Sequence, residues 1–177
     1  MQLLKLTVLS SALFAVAISF TSCEKDAEKK KTQEFLKSGI PMTGAQETAP
    51  FNVSQAVGSL DVYYSKSSKI LTYKVTWQGL TDTIVGMHIH GLASQGYNAA
   101  IVQNITTTKN EAVFPFRGGT YSGTLNVDGV VVKEENLLNG FYYLNIHTKG
   151  LVPGLNLQPP FDTTYASGEI RGQIRFQ

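Results

Sequence analysis

Polar and apolar residues alternate along most of this chain with a period of two, the pattern of strands that bury one face. Leu60, Val62 and Tyr64 alternate with Ser59, Asp61 and Tyr63. After the polar turn Ser65-Lys66-Ser67-Ser68, Leu71, Tyr73, Val75 and Trp77 alternate with Thr72, Lys74 and Thr76. Two such runs joined by four polar residues predict a β-hairpin, ended by Gly79. Residues 84–90 predict a third strand, with Val85, Met87 and Ile89 on one face and Ile84, Gly86, His88 and His90 on the other. Further strands are predicted at 99–105, 121–127, 141–148 and 168–176. Helical character is confined to 133–139, where Gly140 is placed to cap the C-terminus. The pattern predicts an all-β fold: an antiparallel β-sandwich of about seven or eight strands with one short helix. Residues 149–165, with Pro153, Pro159 and Pro160, read as a long connection.

The same alternation sorts the functional side chains. In 141–148, Tyr142, Leu144 and Ile146 form the aliphatic face, which leaves Tyr143, Asn145 and His147 together. In the last strand Ile170, Ile174 and Phe176 face the core, leaving Glu169, Arg171, Gln173 and Arg175. All three histidines of the chain thus lie opposite the aliphatic stripes of their strands, at His88, His90 and His147. If these strands are neighbours, three imidazoles, a carboxylate and a guanidinium share one patch on the outer face or rim of a sheet.

The chain ends change the picture. Residues 1–22 carry a short basic start and an apolar run from Leu6 to Phe20, which reads as a secretory signal rather than a membrane-spanning helix. Cys23, the sole cysteine, follows directly. Phe20-Thr21-Ser22-Cys23 resembles a bacterial lipobox in the relaxed form found among the Bacteroidetes, and it implies lipidation at Cys23 and anchoring to a membrane. Residues 23–38 are rich in charge and read as a flexible tether. Residues 39–177 suffice for one domain with one core. Lys and Arg balance Asp and Glu there, so no basic patch points to nucleic acid.

Four ordered stretches carry a family resemblance: Met42-Thr43-Gly44-Ala45-Gln46-Glu47, His88-Ile89-His90-Gly91-Leu92-Ala93, Gly140-Phe141-Tyr142-Tyr143-Leu144-Asn145-Ile146-His147-Thr148, and Gly168-Glu169-Ile170-Arg171-Gly172-Gln173. Together they resemble the CHRD domain, named for its occurrence in chordin, over about 39–177. The resemblance implies a β-rich domain of the cell envelope with no general catalytic activity. The link between His147 and Gly168 is longer than that family's usual short connection.

Two readings of the polar patch follow. In one, His88, His90 and His147 hold zinc or copper, with Glu169 as a fourth ligand or a partner of the ligands, since both ions accept imidazole nitrogens in such sets. In the other, Tyr143, Asn145, Arg171 and the histidines form a structural or ligand-facing polar network of cross-strand pairs. Similarity to the copper-zinc superoxide dismutases stops at the His-x-His pair, because three histidines and no disulfide are too few for a bimetallic site. Tyr97, Tyr143, Phe161 and Tyr165 would rim the patch and suit a glycan or an envelope protein. No Gly-x-Ser-x-Gly, phosphate-binding Gly-Lys-Ser/Thr or His-Glu-x-x-His motif occurs. The expected function is therefore a lipid-anchored, non-catalytic binding or structural module of the bacterial envelope, with the outer membrane favoured, and metal binding as the alternative.

Overall fold

The computed structural model describes residues 33–48, 53–105, 118–150, 165 and 168–177. The chain divides into two units, Met1–Glu34 and Phe35–Gln177. The first lies almost wholly outside the described residues, as do the signal segment, Cys23, Phe161 and most of the 149–165 connection. Among the described residues no helix is long and apolar enough to cross a membrane.

The second unit is built on eight strands and one short helix. In chain order these are β1 (Glu34–Thr43), β2 (Val57–Ser65), β3 (Ile70–Gln78), β4 (Ile84–Gly91), β5 (Ile101–Asn104), β6 (Gly118–Asn126), α1 (Glu134–Leu138), β7 (Tyr142–Thr148) and β8 (Ile170–Gln173). They form a single sheet in the order β5-β4-β7-β8-β1-β2-β3-β6. Its two edge strands meet through Gln103 of β5. The Gln103 amide donates to the Thr124 carbonyl of β6 at 2.8 Å and accepts from the Tyr73 hydroxyl at 3.0 Å. The two layers expected of a sandwich are thus halves of one nearly closed sheet, wrapped over a shared core. The link is made by a side chain, and β5 and β6 remain the two ends of the sheet.

The predicted hairpin is present, with β2 and β3 in unbroken register from Val57↔Gln78 to Ser65↔Ile70. Its turn closes by a bond from the Lys69 amide to the Ser65 carbonyl (2.9 Å). Leu60, Val62, Tyr64, Leu71, Tyr73, Val75 and Trp77 all enter the core, joined by Met87, Ile89, Leu144, Ile146 and Ile170 from the opposite half of the sheet. α1 ends as predicted. Gly140 sits at φ +76°, its amide bonds the Leu137 carbonyl, and the Phe141 amide bonds that of Asn136. This paired arrangement at a left-handed glycine satisfies the last helical carbonyls.

Three details depart from the expectations. β1 begins at Glu34, inside the stretch read as a tether. It lies between β8 and β2 in the sheet, and it adds Ile40 and Met42 to the core. Phe35 also anchors it by ring contacts with Tyr64 (6.2 Å) and Phe176 (5.8 Å). In β4 the register against β7 slips between Ile84 and Gly86. The irregularity moves Ile84 into the core with Met87 and Ile89, instead of beside the histidines. Finally, every residue of β7 is buried, so its polar face is no outer face or rim. The segment 91–100 packs on part of that face, through Tyr143, Arg171 and Gln173.

Candidate functional site

The antiparallel pairing of β4 with β7 sets His88 opposite Asn145, Gly86 opposite His147 and His90 opposite Tyr143. On one sheet face this brings the three imidazoles together. His88 Nδ1 lies 3.1 Å from His147 Nε2, and one nitrogen from each of the three rings falls within 4.8 Å of the others. Gly86 makes the gathering feasible. A Cβ there would come within 2.7 Å of His88 Cε1 and 3.2 Å of His147 Cδ2, so any side chain would displace the rings.

The hydrogen bonds fix which nitrogens are available. His90 Nδ1 faces the Ala99 carbonyl at 2.9 Å. A carbonyl only accepts, so Nδ1 carries the proton and the His90 lone pair resides on Nε2. That Nε2 is buried and makes no hydrogen bond of ordinary geometry among the described residues, with the Asn145 amide as its polar neighbour. By the same argument His147 Nε2, 3.0 Å from Asn145 Oδ1, carries its proton and donates to that oxygen and to His88 Nδ1. Burial, and secondarily repulsion from His90, lowers the His88 pKa to about 4. Burial also lowers that of His90, against the opposing pull of the Ala99 carbonyl and Asn145. These two imidazoles are neutral at neutral pH and offer lone pairs. Tetrahedral coordination at 2.0–2.1 Å places ligand nitrogens about 3.3 Å apart, so a metal would take the place of the 3.1 Å hydrogen bond between His147 Nε2 and His88 Nδ1. Small ring rotations would bring in His90.

Next to the trio, charge is stacked on aromatic rings. The His90 ring lies parallel to that of Tyr143, with centroids 4.9 Å apart and planes 2° from parallel. The Arg171 guanidinium lies 3.4 Å from the Tyr143 centroid. Arg171 is fully buried and donates to the carbonyls of Tyr97 (2.8 Å) and Ser94 (2.9 Å) and to Gln173 Oε1 (2.7 Å). Gln173 in turn donates to the carbonyls of Ala93 and Gly140. These bonds, with the Ala99 amide donating to the Tyr143 hydroxyl, pin segment 91–100 over the sheet from beneath.

Glu169 is placed elsewhere. It is buried, and its Oε1 accepts from Ser54 Oγ (2.6 Å) and the Thr81 amide (2.9 Å). Its Oε2 accepts from Thr81 Oγ1 (3.0 Å) and Thr148 Oγ1. The carboxylate ties the start of β8 to β7 and to the segments flanking β2 and β4, and it does not join the imidazole cluster.

The profile of the CHRD domain matches residues 39–155. The chain belongs to the CHRD domain family. No curated protein and no solved structure matches it. The matched span of this CHRD domain contains all three histidines, Gly86 and Glu47, and it ends before Glu169 and Arg171.

Glu47 escaped the sequence reading as a member of this site. It follows the short 3-10 turn Gly44–Gln46, and Gly168 leaves room for it, because a Cβ on Gly168 would overlap its carboxylate. Neither carboxylate oxygen has a hydrogen bond of ordinary geometry among the described residues. Burial raises its pKa from 4.5 to about 7, offset in part by the charge of Arg171 and the Asn145 amide. Its presence in a family stretch was the one available signal. Gly86, the pinning role of Gln173 and the donors to Glu169 left no signal, since each acts through contacts distant in the chain.

Proposed function

We propose that this CHRD domain protein is an exported, lipid-anchored and non-catalytic module of the bacterial envelope whose binding centre takes a transition metal, zinc or copper, at His88, His90 and His147. The observation that carries the reading is the trio itself: three imidazole nitrogens within 4.8 Å, one of them the buried His90 Nε2, which makes no hydrogen bond of ordinary geometry among the described residues. An unpaired buried polar atom costs roughly 1–3 kcal/mol, and a metal ion would satisfy it. The Ala99 carbonyl on His90 Nδ1 acts as the outer partner that orients a ligating histidine. Cys23 after an apolar run supports the anchor. Elemental analysis of the purified full chain tests the centre, with about one zinc or copper per chain expected and loss in His90→Ala. Absence of metal from both proteins would refute it. Cys23→Ser is expected to shift the protein from the membrane to the soluble fraction.

A second reading rests on the segment above the trio. Leu92 and Tyr97 are 53% and 71% exposed, on a backbone held by Arg171 and Gln173. They line a cleft of about 420 Å³ with Asn98, Asn136 and Phe141. A rigidly backed aromatic beside amide groups suits a glycan or an envelope protein. Saturable binding to such a ligand that survives chelation but not Tyr97→Ala would support it, whereas binding unchanged in Tyr97→Ala would place that contact elsewhere.

A further inference from the structure

Away from the imidazoles, one end of the sheet carries an apolar tip beside the point where the chain enters the domain. We propose that the turn from Asp128 to Val132 docks on the bilayer that holds the lipid anchor, with Val130, Val131 and Leu36 entering the headgroup interface; this rests on the reading of Cys23 as lipidated.

The turn is built to hold apolar side chains outward. Val130 and Val131 are 77% and 57% exposed, yet their backbone is firmly held. Asp128 Oδ1 accepts from the amides of Val130 (2.8 Å), Val131 (2.9 Å) and Val132 (2.9 Å). Gly129, at φ +77°, lets the chain reverse, and its amide donates to the Val132 carbonyl. The buried Tyr142 hydroxyl accepts from the Lys133 amide and donates to the Val131 carbonyl. Val132 itself is sunk in the core. Single exposed apolar residues are ordinary, but two in succession on a fixed turn have no way to fold back out of water.

A series of contacts places this tip beside the N-terminal entry to the domain. Glu134, which opens α1 just after the turn, binds Lys66 Nζ at 3.1 Å and accepts from the Tyr64 hydroxyl at 2.6 Å. The same Lys66 ammonium lies 5.4 Å from the centre of the Phe35 ring, which also stacks on Tyr64. Leu36, next in the chain, is 68% exposed. From there β1 runs away from this end for ten residues, about 30 Å. Eleven residues stand between Cys23 and Phe35, a reach of about 40 Å at full extension. An anchor at Cys23 therefore keeps this end of the sheet within reach of the bilayer. Under that confinement the second contact is intramolecular, so a small apolar tip suffices. Lys66, Lys69 and Lys133 are balanced there by Asp128, Glu134 and Glu135. The occupant that fits is thus the apolar boundary of a bilayer, without selection for anionic headgroups.

The test uses the protein extracted from membranes in detergent, checked for the lipid on Cys23 by mass spectrometry and reconstituted into phosphatidylcholine vesicles. The lipid occupies the Cys23 thiol, so Val130→Cys supplies the one free thiol for the polarity-sensitive dye nitrobenzoxadiazole. Val57→Cys is the control, since Val57 is 41% exposed at the start of β2, the end remote from Lys66. The dye at position 130 is expected to shift its emission to the blue and to be quenched by nitroxide-labelled lipids at a depth of about 5–10 Å. The dye at position 57 should show neither effect. Adding Val131→Asp to the labelled chain should lower the ratio of inserted to free tip by about tenfold, the weight of one buried valine side chain. Replacing part of the phosphatidylcholine with phosphatidylglycerol should leave the quenching unchanged. A lipidated protein without quenching at position 130 would overturn the docking and leave the anchor in place. Equal quenching at positions 130 and 57 would likewise overturn it, as would a blue shift without quenching, which would set the valines against protein. Absence of lipid on Cys23 would overturn both readings.

Discussion

Glu47 offers the sharpest test of how this site is built, because the expected effect runs against ordinary intuition about deleting a charge. Its carboxyl group is buried without hydrogen bonds of ordinary geometry, and its pKa in the folded protein is raised to about 7 from 4.5. Between those two values the folded chain holds a proton that the unfolded chain releases. Stability therefore falls as pH rises through that window, and the deficit is complete above about 7. At about 1.4 kcal/mol per pH unit the rise sets an upper limit near 3 kcal/mol. Glu47→Gln replaces the acid with a neutral group of similar shape. The variant is expected to match the parent near pH 4.5 and to exceed it by up to about 3 kcal/mol at pH 8. For a domain of this size that corresponds to roughly 6–12 °C in Tm. Urea and thermal unfolding of both proteins from pH 4.5 to 8.5 measure the difference, from which the titrations of the histidines cancel. A variant less stable than the parent at pH 8, or a difference that does not grow with pH, would refute the assignment of Glu47 as a desolvated and uncompensated carboxylate.

Other expectations follow from neighbouring contacts. Glu169→Ala removes the acceptor of four hydrogen bonds from Ser54, Thr81 and Thr148. Bonds to a charged group contribute about 1.5–3 kcal/mol each and do not add fully, so urea denaturation should show a loss of at least about 3 kcal/mol with metal binding by the surviving folded fraction intact. Gly86→Ala, whose Cβ would press on His88 Cε1, should weaken metal binding by roughly 10–100-fold, as disturbed ligand orientation does. The Tm should change little, because the displaced atom is the far end of a side chain. Equal affinity in parent and Gly86→Ala would show that His88 does not ligate.

Much of this architecture was legible along the chain. Period-two alternation located the β2–β3 hairpin and the core faces of β7 and β8, and the glycine signal located the α1 stop at Gly140, since each depends on residues close in sequence. It also put His88, His90 and His147 on one face, because β4 and β7 each present alternate residues to the same side. Where the alternation misled, the cause was non-local. Ile84 changed sides at an irregularity that only the pairing with β7 imposes. β1 began at Glu34 because two sheet neighbours and the ring contacts of Phe35, all distant in sequence, hold it.

Residue order by itself thus determined which side chains are available to this CHRD domain and on which face of each strand they emerge. Tertiary structure decided what those faces meet. It folded segment 91–100 over part of a face that alternation alone would leave in water, engaged Glu169 with hydroxyls and an amide away from the imidazoles, and brought Glu47 in beside Arg171. Solvent exposure and charge environment are properties of neighbours in space. Periodicity carries the direction of a side chain but no information about what arrives to cover it.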